Sequence, residues 1–160
     1  MTIKVGDPIP QTNFVKATPD GPQPIDSESF FKGRKVALFS VPGAFTPTCS
    51  ARHLPGFVDK ADQIKAKGVD EIACTAVNDA FVLNAWSESA GAQGKVTMLA
   101  DGNGDFAKAV GLRMDASKYG MGQRGQRFSM LVDDGIVKEL NVEEPGAFDV
   151  SSADHMIAQL

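Results

Sequence analysis

The chain has 160 residues, 42% hydrophobic and 22% charged, the composition of one globular domain spanning 1–160 with a core worth burying. Lys and Arg number 16 against 20 Asp and Glu, a net charge of −4, which argues against a nucleic-acid or anionic-membrane partner. No apolar run approaches membrane-spanning length, and the first residues lack the apolar block of a secretory signal.

Residues 12–16 read as a short strand and Pro19-Asp20-Gly21 as a turn. Asp26 or Ser27 caps a short helix that runs through Phe31 and stops at Gly33. Residues 35–41 are a continuous apolar run of strand length, suited to a central strand covered on both faces. A loop with two prolines, residues 42–48, follows. Leu54, Phe57, Val58, Ala61 and Ile64 then recur at helical spacing until Gly68. Pro55 lies inside that pattern and predicts a kink, because it removes a donor and crowds the preceding turn.

Residues 71–77 read as a second core strand. Asn78 or Asp79 caps a helix whose inner face is Phe81, Val82, Ala85 and Trp86, closed by Gly91. Residues 95–99 form a third strand and 106–110 a short helix. Residues 127–132 and 136–140, joined by Asp133-Asp134-Gly135, give a strong hairpin signal. A final helix passes through Met156 and Ile157. Strand–helix alternation followed by a hairpin and a helix predicts an α/β fold, a central mixed β-sheet flanked by helices.

Two motifs mislead. Gly120-Met-Gly122-Gln-Arg-Gly125 matches a dinucleotide fingerprint, but it precedes a strand and opens no helix, so it reads as a loop. Asp101-Gly-Asn103-Gly-Asp105 resembles the start of a calcium loop. Phe106 stands where a glycine is needed and Leu112 where a bidentate Glu is needed, so a polar turn capping the next helix is the better reading.

Cys49 and Cys74 are too few for a disulfide scaffold, and with His53 and His155 they show no metal-ligand spacing. Scarce cysteine points to a reducing, cytoplasmic setting. Cys49 lies where the loop becomes a helix. Unpaired N–H groups and the positive end of the helix dipole favour thiolate over thiol there. The competing reading for a lone cysteine is a buried, inert one. Thr46 stands where a disulfide reductase would carry a second cysteine. Its hydroxyl can orient a thiolate or an oxygen substrate, or cap the helix. Pro42 and Pro47 stiffen the loop.

Pro42-x-x-x-Thr46-x-x-Cys49 resembles the peroxiredoxin active-site pattern. The string Val41-Pro-Gly-Ala-Phe-Thr-Pro-Thr-Cys-Ser50, followed by His53-Leu-Pro-Gly-Phe57, resembles the type II, peroxiredoxin-five-like subfamily. Residues 76–81, 100–102 and 127–133 extend the resemblance over nearly the whole chain. It implies a thioredoxin-like fold and a thiol-dependent peroxidase of hydrogen peroxide and alkyl hydroperoxides. It makes Cys49 the peroxidatic cysteine, with Thr46 supplying a hydroxyl, Pro42 shielding the thiolate and Arg127 supplying positive charge. No cofactor or metal is implied. Arg124 competes for the arginine role; the family pattern selects Arg127, just before the aromatic-Ser strand, and leaves Arg124 in support. His53, four residues after Cys49, reads as structural or interfacial and not as a general base.

The resulting sulfenic acid needs a thiol to resolve it. The segment Gly146-Ala-Phe-Asp-Val-Ser-Ser-Ala153 carries no cysteine, which closes the C-terminal route some members use. Cys74 matches a second cysteine of plant-like members and is a candidate resolving residue. Its place in a core strand favours the inert reading instead, and joining it to Cys49 requires local unfolding. The other route is direct attack on Cys49 by glutathione with glutaredoxin, or by thioredoxin. The family also implies a homodimer, through loops near Phe45 and the helix around Trp86. A redox sensor and a disulfide reductase on the same fold are the rival functions; peroxide turnover and insulin reduction separate them.

Overall fold

The computed structural model describes residues 2–160. Its strands are β1 (Asn13–Thr18), β2 (Gly21–Asp26), β3 (Lys35–Ser40), β4 (Glu71–Ala76), β5 (Thr97–Ala100), β6 (Arg113–Asp115), β7 (Gln123–Gly125), β8 (Phe128–Asp133) and β9 (Ile136–Val142). Seven of them make a sheet in the order β2-β1-β5-β4-β3-β8-β9. β3, β4 and β5 run parallel, and the other neighbours pair antiparallel. β6 and β7 form a separate small hairpin. The helices are α1 (Ser27–Phe31), α2 (Leu54–Asp59), α3 (Ala61–Ala66), α4 (Ala80–Ala90), α5 (Asp105–Ala109) and α6 (Ala153–Gln159). The expected mixed sheet flanked by helices is present.

β3 explains why the core forms where it does. Val36 and Leu38 enter a cluster with Phe14, Phe30 and Phe106 on one face of the sheet. Ala37 and Phe39 enter the other cluster, with Phe57, Leu83 and Met156. Side chains alternate along a strand, so a run apolar at every position is stable only when both faces are covered. β3 is therefore central, and the loop leaving its C-terminal end emerges over the middle of the molecule.

Four expectations are corrected. Residues 21–26, to which the sequence reading assigns no strand, form β2; Pro22 and Pro24 are tolerated because β2 is an edge strand. Residues 54–64 are not one helix. Helix begins at Pro47, passes through a π-turn at Cys49–His53, continues as α2 and breaks at Lys60 before α3. The backbone N–H of Leu54 donates to the carbonyl of Cys49, five residues back. Pro55 has no donor and its ring crowds the carbonyl four residues earlier, so the turn ahead of it widens. The expected kink takes that form.

The inner face of α4 is Ala80, Leu83, Trp86 and Ser87, with Phe81 72% exposed. Both residue sets fit a helical period, and only the sheet decides between them. The helix ends were legible: the Asp79 carboxylate accepts from Val82 N at 2.8 Å, and Gly91 closes with φ 65°. The hairpin of β6 and β7 was not expected at all, its strands being three residues each.

Candidate active site

Cys49 occupies the first turn of the helix that starts at Pro47. The N–H of Ser50 donates to Thr46 O at 2.9 Å, which closes that turn. The Cys49 side chain is fully buried. β8 lies antiparallel to β3 with Phe128 opposite Ser40, so the residue before Phe128 stands beside the loop that leaves β3. Arg127 thereby meets a cysteine 78 positions away. Its Nη2 donates to Cys49 Sγ at 3.0 Å, and its Nη1 donates to His53 Nδ1 at 2.8 Å.

His53 Nε2 donates in turn to Ser151 O at 2.9 Å. Burial first, and the neighbouring Arg127 cation second, outweigh the opposing Ser151 bond and Glu143 charge and bring the imidazole pKa from 6.5 down to about 3. His53 is thus neutral at physiological pH. A neutral imidazole has one N–H to give, and Ser151 takes it, leaving Nδ1 to accept from Arg127. The residue is fully buried and so is not interfacial.

Thr46 gives its hydroxyl proton to Gly43 O at 2.7 Å. Its carbonyl accepts the first helical bond, while its hydroxyl ties back the loop instead of capping the helix. Pro42 sits at the rim. Arg124 braces this loop from outside, with Nη1 donating to Pro42 O at 3.4 Å and Nε to Met121 O at 2.9 Å. Ala44 N donates to Asn78 Oδ1 at 2.9 Å. Phe45 holds φ 64°, unfavourable for a bulky residue, with its ring 55% exposed. A cavity of about 590 Å³ opens beside Arg127, its wall including Pro42, Thr48, Tyr119 and Glu143.

Cys74 lies on β4 in the same apolar cluster as Cys49, and both are free thiols. Complete burial pushes the Cys74 pKa well up; a charge on Cys49 adds to this and Arg127 opposes it. Cys74 is therefore held as the thiol, a weak nucleophile.

The two motifs take these forms in the fold. Residues 120–125 are loop and strand β7, with no helix opening after them. The Asp101 carboxylate accepts from Phe106 N and Ala107 N, both at 2.9 Å, and caps α5. Among the described residues no group of three or more His, Cys, Asp or Glu is placed to hold a metal. The contact missed from sequence is that of His53 with Arg127. Its one trace was spacing, since Cys49 and His53 are four residues apart.

The Redoxin family model matches residues 4–157. Chloroplastic Peroxiredoxin-2E-2 of Oryza sativa subsp. japonica is 50% identical over 164 residues, spanning 99% of this chain and 73% of its own. Peroxiredoxin-2B of Arabidopsis thaliana is 46% identical over 160 residues, with 99% and 98% covered. The crystal structure of reduced Prx3 from Vibrio vulnificus in complex with hydrogen peroxide superposes with a TM-score of 0.95 at 48% identity, covering 99% of each chain.

Proposed function

The chain belongs to the redoxin family and is a type II peroxiredoxin, a thiol-dependent peroxidase with a thioredoxin-like fold, and on that premise we propose that Cys49 is its peroxidatic cysteine. The observation that carries this is the 3.0 Å contact between Arg127 Nη2 and Cys49 Sγ. The Cys49 thiolate attacks the terminal oxygen of a hydroperoxide. The S–O bond forms as the O–O bond breaks, and the leaving oxygen takes a proton and departs as water or alcohol. Sulfur is oxidised to the sulfenic acid by two electrons.

Negative charge passes from sulfur to the leaving oxygen during this step. Arg127 can follow it, because its donor already lies on the sulfur and, among the described residues, its cation forms no salt bridge. Thr46 has spent its proton on Gly43, so its lone pairs are free to accept the proton of the incoming peroxide. Pro42 and the loop pinned by Arg124 keep bulk water off the sulfur.

The cycle closes by thiol attack on the sulfenic sulfur, releasing water, and a second thiol then frees Cys49. We place the first thiol outside the chain, on glutathione with glutaredoxin or on thioredoxin, since Cys74 is buried and protonated. A reducing cytoplasm suits a thiol-consuming cycle. The homodimer expected of the family would form through Phe45 and, on α4, the exposed Phe81, Trp86 being buried. Hydrogen peroxide turnover by wild type, Cys49→Ser and Cys74→Ser, with each donor supplied separately, tests the assignment. Loss in Cys49→Ser and retention in Cys74→Ser are expected; loss in Cys74→Ser with every donor would restore it as the resolving residue. Sedimentation of wild type and Phe81→Glu tests the dimer.

A further inference from the structure

The segment after β9 carries no cysteine, yet it is built onto the site. The backbone N–H of Glu143 donates to Arg127 O at 3.0 Å. The buried Glu143 carboxylate accepts at one oxygen from Asp149 N (2.7 Å), Ser151 N (2.8 Å) and Ser151 Oγ (2.6 Å). Ser151 O receives His53 Nε2, and His53 Nδ1 receives Arg127 Nη1. These bonds form a closed circuit from the Arg127 backbone through Glu143, Ser151 and His53 to the Arg127 guanidinium. Phe148, carried in the same segment, packs on His53 at 5.0 Å, and the Arg52 and Arg127 guanidinium groups lie 4.7 Å and 5.9 Å from its ring centre.

We propose that His53, fixed by the Glu143–Ser151 clasp, is a positioning residue that aims the Arg127 guanidinium at the Cys49 sulfur. This rests on the roles given above to Cys49 and Arg127. An arginine side chain has many rotamers, and the adjacent cavity offers it water. Holding one end of its planar fork at Nη1 fixes where Nη2 points. An acceptor without charge suits this role best. A carboxylate at Nδ1's position would compete with sulfur for the cation and weaken its pull on the leaving oxygen. An aliphatic residue would fill the space against Phe39 and Phe57 but accept nothing. Neutral imidazole satisfies both demands.

The test is a double-mutant cycle on the second-order rate constant for hydrogen peroxide, with melting curves for each variant. His53→Leu is expected to slow the reaction about tenfold, the scale of one lost hydrogen bond to a charged group. His53→Gln, whose side-chain carbonyl can accept, is expected to recover most of that rate. In an Arg127→Ala background His53→Leu should change nothing further, because it acts only through the arginine. A wild-type rate in His53→Leu, or an equal slowing in both backgrounds, would overturn the inference while leaving Arg127's role intact. A wild-type rate in Arg127→Ala would overturn both. Should His53→Leu fail to fold, Glu143→Gln serves in its place: it should slow the wild type and leave Arg127→Ala unchanged, and any other result counts against the clasp.

Discussion

Acidification from about pH 8 to about pH 5 should destabilise this protein through one side chain, His53. In the unfolded chain the imidazole takes up a proton as pH falls through 6.5; in the folded chain it stays neutral until about 3. Across that window the unfolded state binds more protons, so stability falls with pH. Each unit is worth about 1.4 kcal/mol, so about 2 kcal/mol is lost by pH 5, a large part of a stability of roughly 5–15 kcal/mol. Asp101 works in the opposite sense. Its pKa is raised by burial, with the α5 backbone bonds partly opposing, and its contribution is lost as pH rises through the folded value. Below 4.5 Glu143 joins His53. Burial raises its pKa, but bonds from Ser151 and nearby backbone N–H groups outweigh that and leave it lowered, so its stabilisation disappears as pH falls further. Urea unfolding of reduced wild type and His53→Gln at several pH values isolates the histidine, since other groups cancel in the comparison. Wild type should lose about 2 kcal/mol more than the variant between pH 8 and 5. Parallel slopes would refute the neutral, buried imidazole.

Leu83→Ala should cost about 2–5 kcal/mol in denaturant unfolding because Leu83 is fully buried under the sheet, whereas Phe81→Ala should change the monomer's stability by less than about 0.5 kcal/mol. Asp101→Ala removes both carboxylate bonds to the start of α5 and should lower stability by about 1–2 kcal/mol, read by the same unfolding. Trp86→Phe strands the Ser50 hydroxyl that accepts from Trp86 Nε1 at 2.9 Å, and a loss of about 1 kcal/mol or more is expected in thermal melts.

The parts of the fold legible in sequence are those where one signal dominates. The run through β3 has no polar alternative, and Asp79, Gly91 and Asp101 end helices by chemistry that works locally. Cys49, Thr46 and Pro42 share one short loop, so their proximity is written in the chain. Arg127 was placed by family resemblance, because the pairing of β3 with β8 that delivers it is a long-range event. What stayed hidden depends on partners far in sequence. The inner face of α4 is chosen by the sheet, and β2 becomes a strand only because β1 offers it an edge. The acceptor role of His53 exists only once Arg127 and Ser151 arrive on either side of its ring. The π-turn was half legible, since Pro55 announced a distortion without saying which kind.

That distortion bears on how Cys49 is recycled. A hydroperoxide is small enough to enter from the cavity, but a thiol protein cannot touch a sulfur with 0% exposure. For the proposed thiol route the sulfur must come out, and the helix around it is the segment expected to open. Pro47 and Pro55 bring no backbone donors, and the Cys49–His53 turn between them closes by the wider five-residue bond. β4, by contrast, is paired on both sides, to β3 and to β5, so Cys74 stays while Cys49 moves. The unit expected to open least expensively is residues 47–54, a segment tied to α4 by the Trp86–Ser50 bond. Amide hydrogen exchange is the direct measure. Amides of residues 50–54 should exchange at least about 100-fold faster than those of β4, corresponding to about 3 kcal/mol of difference in opening free energy. Ser50→Ala, which removes the tether, should widen the gap. Equal protection of the two segments would mean that Cys49 is exposed only by global unfolding, and direct attack on it by a thiol protein would then be too rare to sustain turnover.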